Sequence, residues 1–297
     1  MKRILPLLLI IALVVASSGC TASGMLNLFE KALKESGDDT NGTVPFTDDI
    51  SHPGKIMIGS WNIQNYGTSK ASDTATVSLI ASVVKEFDLI ALQEIVNAEC
   101  AGGTCSQMTG LMSRLPSNYT YRLSSRVGRS AQKEQYAIVY NKNVFTLLGY
   151  EMFEDTYDIF EREPMICEFR KGNDADFMLI VCHIKPDMAP SEISALETVV
   201  QFVGTKYSDK DIILLGDLNA GCSYYSGPLL TNMISLIPDY TDTTVGASNC
   251  AYDRIFVTNS MSRYVDGVNV GYVYRHSQIT KEVSDHYPVY FLWKDVA

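Results

Sequence analysis

From residue 55 onward, short apolar runs that end in single polar residues recur along the chain. Ile212-Ile213-Leu214-Leu215 reads as a buried strand. Gly216 lets the chain turn, and Asp217 and Asn219, two positions apart, point to one side in extended backbone. Lys55–Gln64 predicts a strand that leaves through Asn62, and Asp88–Glu94 one that ends in a carboxylate. Lys133–Tyr140 and Phe177–Cys182 predict two more, the second ending in His183, and Tyr121-Arg122-Leu123 begins another. Val77, Ile80, Val83, Val84 and Phe87 recur at helical spacing and predict a helix over 74–87; Ile193, Leu196, Val199, Val200 and Val203 predict one over 191–203. Residues 95–120 read as a loop followed by a helix. Near the end, Asp285-His286 adjoins a strand start.

The first 52 residues follow another pattern. Lys2 and Arg3 precede the apolar run Ile4–Ala16 and then Ser17-Ser18-Gly19-Cys20, the layout of an export signal. The run is too short to span a bilayer comfortably. Ser-Ser-Gly-Cys resembles the lipobox of prokaryotic lipoproteins, which implies a signal peptide at 1–19 and lipidation of Cys20. Plain secretion with Cys20 discarded is the other reading. Residues 20–52, mostly small, polar or charged, predict a flexible tether with a short helix around Leu26–Leu33. The working domain is then 53–297, placed outside the cell, secreted or held on the surface by a lipid anchor.

Composition narrows this only a little. The 297 residues are 46% hydrophobic, enough for one large domain with a sizeable core. The net charge of −10 argues against an electrostatic scaffold for nucleic acid. It leaves open an enzyme that meets nucleic acid through bound cations, which invert the local sign. An oxidising space lets cysteines pair. Cys100 and Cys105 bracket Ala-Gly-Gly-Thr as a small bridged loop. Cys222 and Cys250 flank a long excursion beside Asp217, while Cys167 and Cys182, inside apolar runs, read as buried free thiols.

Candidate chemistry sits at the strand ends. Asp217 with Asn219 sets a carboxylate beside a carboxamide, which can hold a divalent cation and a phosphate oxygen together. Burying Glu94 after Leu-Ile-Ala-Leu costs several kcal/mol unless something pairs with it, and a metal ion would. Asp285-His286 joins a carboxylate to a titratable base, and His183 is a second base. Each imidazole needs an orienting carboxylate, for which Glu134 and Asp253 are candidates. Taken singly, each of these has a bland counterpart: an ordinary turn, a loop cap, a solvated strand end, a structural histidine.

Together they form a recognisable series. Trp61-Asn62-Ile63-Gln64, Leu92-Gln93-Glu94, Lys133-Glu134-Gln135-Tyr136, Arg162-Glu163-Pro164, Cys182-His183, Gly216-Asp217-Leu218-Asn219-Ala220, Asn249-Cys250-Ala251-Tyr252-Asp253-Arg254-Ile255 and Ser284-Asp285-His286-Tyr287-Pro288-Val289 resemble the endonuclease/exonuclease/phosphatase superfamily. Cys222-Ser223-Tyr224, Leu236-Ile237-Pro238-Asp239 and Asp242-Thr243-Thr244 narrow the resemblance to the deoxyribonuclease I type. It runs from about residue 55 to 294.

The resemblance implies an α/β fold, a four-layer α/β/β/α sandwich of two packed mixed sheets with outer helices. It implies a monomer that hydrolyses DNA non-specifically, meeting the backbone and the minor groove. His183 and His286 would be general base and acid, oriented by Glu134 and Asp253. Glu94 would hold catalytic Mg²⁺ or Mn²⁺ with Asn62, Asp217 and Asp285 near it, and Asn219 would bind the scissile phosphate. Arg162, Arg129, Tyr224 and Tyr252 would contact the substrate backbone. Structural Ca²⁺ would sit at Asp242 and Thr244, and Cys222–Cys250 would match the family's main bridge. The shorter acidic loop around Asp155, Asp158 and Glu163 weighs against a second Ca²⁺.

Three departures concern the substrate. Where the family carries arginines after the first and second strand motifs, this chain has Gln64 and Val96; where it carries a tyrosine before the Lys-Glu pair, the chain has Gln132. Losing two arginines and a ring weakens groove insertion. The expectation is DNA cleavage weaker at high salt than the family norm, or a shifted preference for single strands. Two other classes remain: a superfamily enzyme acting on lipid or small phosphoesters, and a non-catalytic binding protein on the same fold.

Overall fold

The computed structural model describes residues 52, 54–96, 105–173, 175–207, 210–267 and 270–296. They belong to one compact unit, Thr47–Ala297. The expected signal peptide, Cys20, nearly all of the tether, and Cys100 lie outside the described residues.

Twelve strands and four α-helices are described: β1 (Ile56–Asn62), α1 (Thr68–Ser72), α2 (Thr74–Val84), β2 (Leu89–Ile95), α3 (Ser106–Met112), β3 (Tyr119–Leu123), β4 (Gln135–Asn141), β5 (Phe145–Met152), β6 (Met165–Lys171), β7 (Ala175–His183), α4 (Ala189–Lys206), β8 (Ile212–Asp217), β9 (Ile234–Ser235), β10 (Asp253–Val257), β11 (Tyr272–Val273) and β12 (Val289–Trp293). They form two six-stranded sheets, ordered β11-β12-β1-β2-β4-β3 and β5-β6-β7-β8-β10-β9. Each sheet contains one parallel pair, β1–β2 and β7–β8. α2 connects the first pair and α4 the second, as parallel neighbours require.

Three apolar layers hold the sandwich together. Along β2, Leu89 and Ala91 face the layer between the sheets, while Ile90 and Leu92 face the layer that holds Val77, Ile80 and Val84 of α2. Along β8, Ile213 and Leu215 face inward, while Ile212 and Leu214 meet Ile193, Leu196 and Val199 of α4. Burial on both faces is why these strands read as unbroken apolar runs. The expected four-layer α/β/β/α sandwich is the observed one.

Boundaries shift for local reasons. α2 stops at Val84, with Phe87 buried beyond its end, and Asp73 caps its start by accepting from Ala75 and Thr76 N–H at 3.0 and 3.3 Å. α4 begins at Ala189 with Pro190 in its first turn, where a missing N–H costs nothing. β5 had no clear sequence signal: it is an edge strand with Leu148 and Tyr150 exposed.

The topology brings the C-terminal ends of β1, β2, β7 and β8 to one rim of the sandwich. β10 runs antiparallel to β8, so Asp253 pairs with Asp217 across the sheet. Gly216 makes the β7–β8 approach possible. Its φ is +148°, and a Cβ there would lie 1.8 Å from the Cys182 carbonyl oxygen.

Candidate active site

Each side chain at this rim is aimed by a specific backbone device. β2 carries a bulge between Leu92 and Ile95, and Glu94 adopts φ +64° there. That turns its carboxylate toward β1 instead of into the pleat alternation. Asn62 Nδ2 then donates to Glu94 Oε1 at 2.9 Å and to Asp217 Oδ2 at 3.1 Å, so one carboxamide spans two carboxylates from different sheets. Asn65 N–H donates to Glu94 Oε2 at 2.6 Å. Gln64, Asn65 and Asn219 also take left-handed φ values, placing much of the chain's backbone strain at this rim.

Two histidine–carboxylate pairs converge on Asp217. His183 Nδ1 lies 2.9 Å from Glu134 Oε1, and His286 Nδ1 lies 2.8 Å from Asp253 Oδ2. Their Nε2 atoms stand 3.6 and 3.5 Å from the same Asp217 Oδ2. Burial works to lower the His183 pKa, but Glu134, helped by Asp217, outweighs it and raises the value to about 8. His286 feels the same burial and two carboxylates, Asp253 and Asp217, which hold it well above the ordinary imidazole range. Burial pushes Asp217 up, and the two imidazoles pull it below the usual carboxylate range. Burial dominates at Asp253 and raises it.

The segment bearing His286 is pinned to β1. Trp61 Nε1 donates to the His286 carbonyl at 2.9 Å, Ser284 Oγ donates to the Asn62 carbonyl at 2.6 Å, and His286 N–H donates to Ser284 Oγ at 3.0 Å. Asn219 is nearly buried; its N–H closes a turn on Asp217 Oδ1 at 3.0 Å, and its Nδ2 donates to the Ile184 carbonyl at 2.9 Å. Tyr252 lies 6.2 Å from the His286 ring and 5.4 Å from the more exposed Tyr224.

Two of the expected substrate contacts have other partners. Arg162 is 7% exposed and ion-pairs with Glu134 Oε2 at 2.8 Å, so it helps fix the carboxylate that orients His183. Its Nη1 is buried without a hydrogen-bond partner among the described residues. Arg129 pairs with Asp158 at 3.1 Å in the acidic loop. Beside Glu94 opens a polar cavity of about 310 Å³ lined by Asn65, Val96, Arg126, Gln132, Lys133 and Arg162. Val96 and Gln132, two of the positions where the chain departs from its resemblance, therefore line the same cavity.

The donor set suits a hard divalent cation. Asp217, Asp253 and His286 present ligand atoms within 4.8 Å of one another, and Glu94 and Asn62 extend the oxygen-rich surface. Asp285 Oδ1 is buried without a hydrogen-bond partner among the described residues, an unmet acceptor that a cation would satisfy. Asp242 and Thr244 are a different matter. The outward oxygens of Asp242 face Arg275, whose Nη1 is 3.5 Å from Oδ2 and whose Nη2 donates to the carbonyl at 2.5 Å. A Ca²⁺ ion there would meet a guanidinium, and the residues do not fit it. Cys222–Cys250 is a disulfide, as expected, and Cys167 and Cys182 are buried free thiols. Cys105 is also disulfide-bonded.

The sequence reading missed several supporting residues. Tyr136 OH accepts from His183 N–H at 3.2 Å. Lys70 donates to the Ile63, Gln64 and Val283 carbonyls, tying the β1 exit to the Asp285 segment. Arg254 is buried and donates to the carbonyls of Ala251, Ile237 and Ala220 at 2.9, 2.8 and 2.6 Å. Arg254 stood inside a quoted motif; Lys70 gave no signal, because its partners are backbone atoms remote in sequence.

Comparison with known proteins agrees with this geometry. A sequence model described as the Endonuclease/Exonuclease/phosphatase family matches residues 59–286. Deoxyribonuclease-1 of Rattus norvegicus is 32% identical over 256 residues, covering 79% of this chain and 90% of that protein. Deoxyribonuclease gamma of Mus musculus is 34% identical over 261 residues, covering 80% and 84%. Among solved structures, D. rerio TDP2 complexed with single strand DNA product superposes with a TM-score of 0.60 at 18% identity, covering 82% of this chain and all of that one. An endonuclease/exonuclease/phosphatase from Bacteroides vulgatus gives 0.56 at 17%, covering 81% and 98%. At that identity the structures support the fold alone.

Proposed function

The chain belongs to the endonuclease/exonuclease/phosphatase family, with deoxyribonucleases among its relatives, and from that premise we propose that it is a metal-dependent endonuclease hydrolysing phosphodiester bonds of DNA. The observation that carries the reading is the convergence of Glu134–His183 and Asp253–His286 on one Asp217 oxygen. Two imidazoles close to one carboxylate oxygen suit a reaction that needs one proton removed and another delivered.

His183, raised less than His286, is the base: its Nε2 takes a proton from water as the water oxygen bonds to phosphorus. His286, held protonated by two carboxylates, is the acid: its Nε2 gives a proton to the leaving oxygen as the P–O bond breaks. Glu134 and Asp253 fix the tautomers through Nδ1, and Arg162 fixes Glu134. Asn219, with its amide plane set by Ile184, offers its remaining N–H to a phosphate oxygen. Glu94, Asn62, Asp217 and Asp285 are the residues that would hold Mg²⁺ or Mn²⁺. A cation bound there would neutralise the negative charge that builds on the phosphate oxygens in the transition state. Tyr252 and Tyr224 line the approach and contact the backbone of the strand.

The leader motif supports export of a domain spanning 53–297, with Cys20 as the lipid attachment point. No helix among the described residues is long and apolar enough to cross a membrane. Supercoiled-plasmid cleavage tests the activity, in Mg²⁺ against EDTA, with His286→Ala alongside. Nicking that needs the metal and vanishes in the variant is the expected result. A folded protein that cuts no DNA but hydrolyses a small phosphodiester would replace the substrate in this proposal.

A further inference from the structure

The loop from Asp242 to Cys250 supports both halves of one catalytic pair. The Thr243 carbonyl accepts from Tyr287 N–H at 2.8 Å, Thr244 pairs with His286 as a β-bridge, and Val245 N–H donates to the Asp285 carbonyl at 2.8 Å. Thr243 Oγ1 accepts from the N–H groups of Tyr252 and Asp253 at 3.1 and 3.2 Å. Something must fix this loop. Asp242 does so from its centre: Oδ1 accepts from Thr244 N–H and Cys250 N–H at 3.0 and 3.3 Å and lies 2.8 Å from Thr244 Oγ1.

The family resemblance would put a Ca²⁺ ion on this aspartate. Ca²⁺ collects roughly six to eight oxygens, commonly from several carboxylates. Among the described residues, Asp242 joins no cluster of three histidine, cysteine, aspartate or glutamate ligand atoms. Arg275, just beyond β11, instead directs its guanidinium at Oδ2 and the carbonyl of Asp242, with its carbon 5.3 Å from the centre of the Tyr287 ring. The ring face favours a cation at that place.

We propose that Arg275 replaces a structural Ca²⁺ at Asp242, so that the loop holding Asp253 and His286 is set by the chain itself. A guanidinium presents several donors in a fixed plane, so it can meet a carboxylate and a carbonyl at once.

Thermal unfolding of the full chain in EGTA and in excess Ca²⁺ tests this, comparing wild type with Asp242→Asn and Arg275→Gln. Two results are expected. Any change in Tm that Ca²⁺ causes is the same in wild type and Asp242→Asn, and Arg275→Gln melts roughly 4–8 °C below wild type in EGTA. A Ca²⁺-induced rise that Asp242→Asn abolishes would overturn the proposal. So would an Arg275→Gln protein that melts with wild type. If Arg275→Gln fails to fold, Arg275→Lys, which keeps the charge and loses the fork, should melt below wild type in EGTA by a smaller margin; equality with wild type counts against the idea. The readout is thermal, so it stands whether or not the chain cleaves DNA.

Discussion

At the residue scale, the pairing of each imidazole with its own carboxylate decides how the site works. As the proposed general base, His183 must be neutral to accept a proton, and Glu134 raises its pKa to about 8. The acid limb of kcat/KM should therefore rise with pH to a midpoint below 8, because the cation the reaction needs offsets part of the charge of Asp217. Glu134→Gln removes the carboxylate that favours the imidazolium, so the limb should move to lower pH even as the maximum rate falls. A pH profile of plasmid nicking checks the direction; a limb that stays in place would detach Glu134 from His183. His183→Ala and His286→Ala should each reduce turnover by about 10²–10⁴-fold, the usual weight of general acid–base catalysis. Unchanged turnover in either would remove that residue from the mechanism.

At the element scale, paired strands and one loop carry the site, and each has a weak point that can be tested. Gly216→Ala forces a Cβ against the Cys182 carbonyl between β7 and β8. It should destabilise the protein by about 3 kcal/mol or more, seen as a lower urea midpoint, with His183 and Asp217 displaced together. The acidic loop is tied to α4 through Glu161 and Glu192. Burial raises the Glu161 pKa, but bonds from Ser130 and the charge of Lys185 outweigh it and bring the value to about 2. The folded value lies below the unfolded one, so Glu161 stabilises the protein above about pH 4.5. That contribution, up to ~3 kcal/mol, is lost as pH falls toward 2. Glu161→Gln should flatten the loss of Tm across that window.

At the scale of the whole molecule, the negative net charge leaves substrate attraction to a few local cations. Arg129 pairs with Asp158 and Arg162 with Glu134, and Arg126 and Lys133 line the same cavity as Arg162, beside Val96 and Gln132. Duplex cleavage should be weaker at high salt than the family norm, or the preference should shift toward single strands. Equal cleavage of both forms with little salt dependence would sink that expectation. The Cys222–Cys250 bridge spans a separation of 28 residues. Its removal should cost about 3–4 kcal/mol, readable as a lower Tm under reducing conditions.

The sequence by itself determined the layers and which polar residues close the apolar runs at the candidate site. Strands buried on both faces write themselves as apolar runs, helices as 3.6-residue spacing, and a polar residue that closes an apolar run is conspicuous. Asn62, Glu94, His183 and Asp217 are marked in the sequence in that way. The tertiary structure decided which groups face one another. It set both Nε2 atoms on one Asp217 oxygen, gave Arg162 to Glu134 and Arg129 to Asp158, and placed Arg275 where a Ca²⁺ was expected. Those pairings depend on strand register, a bulge at Glu94 and loops that meet from distant parts of the chain. Periodicity reports which face a residue occupies, and it carries no information about what stands opposite.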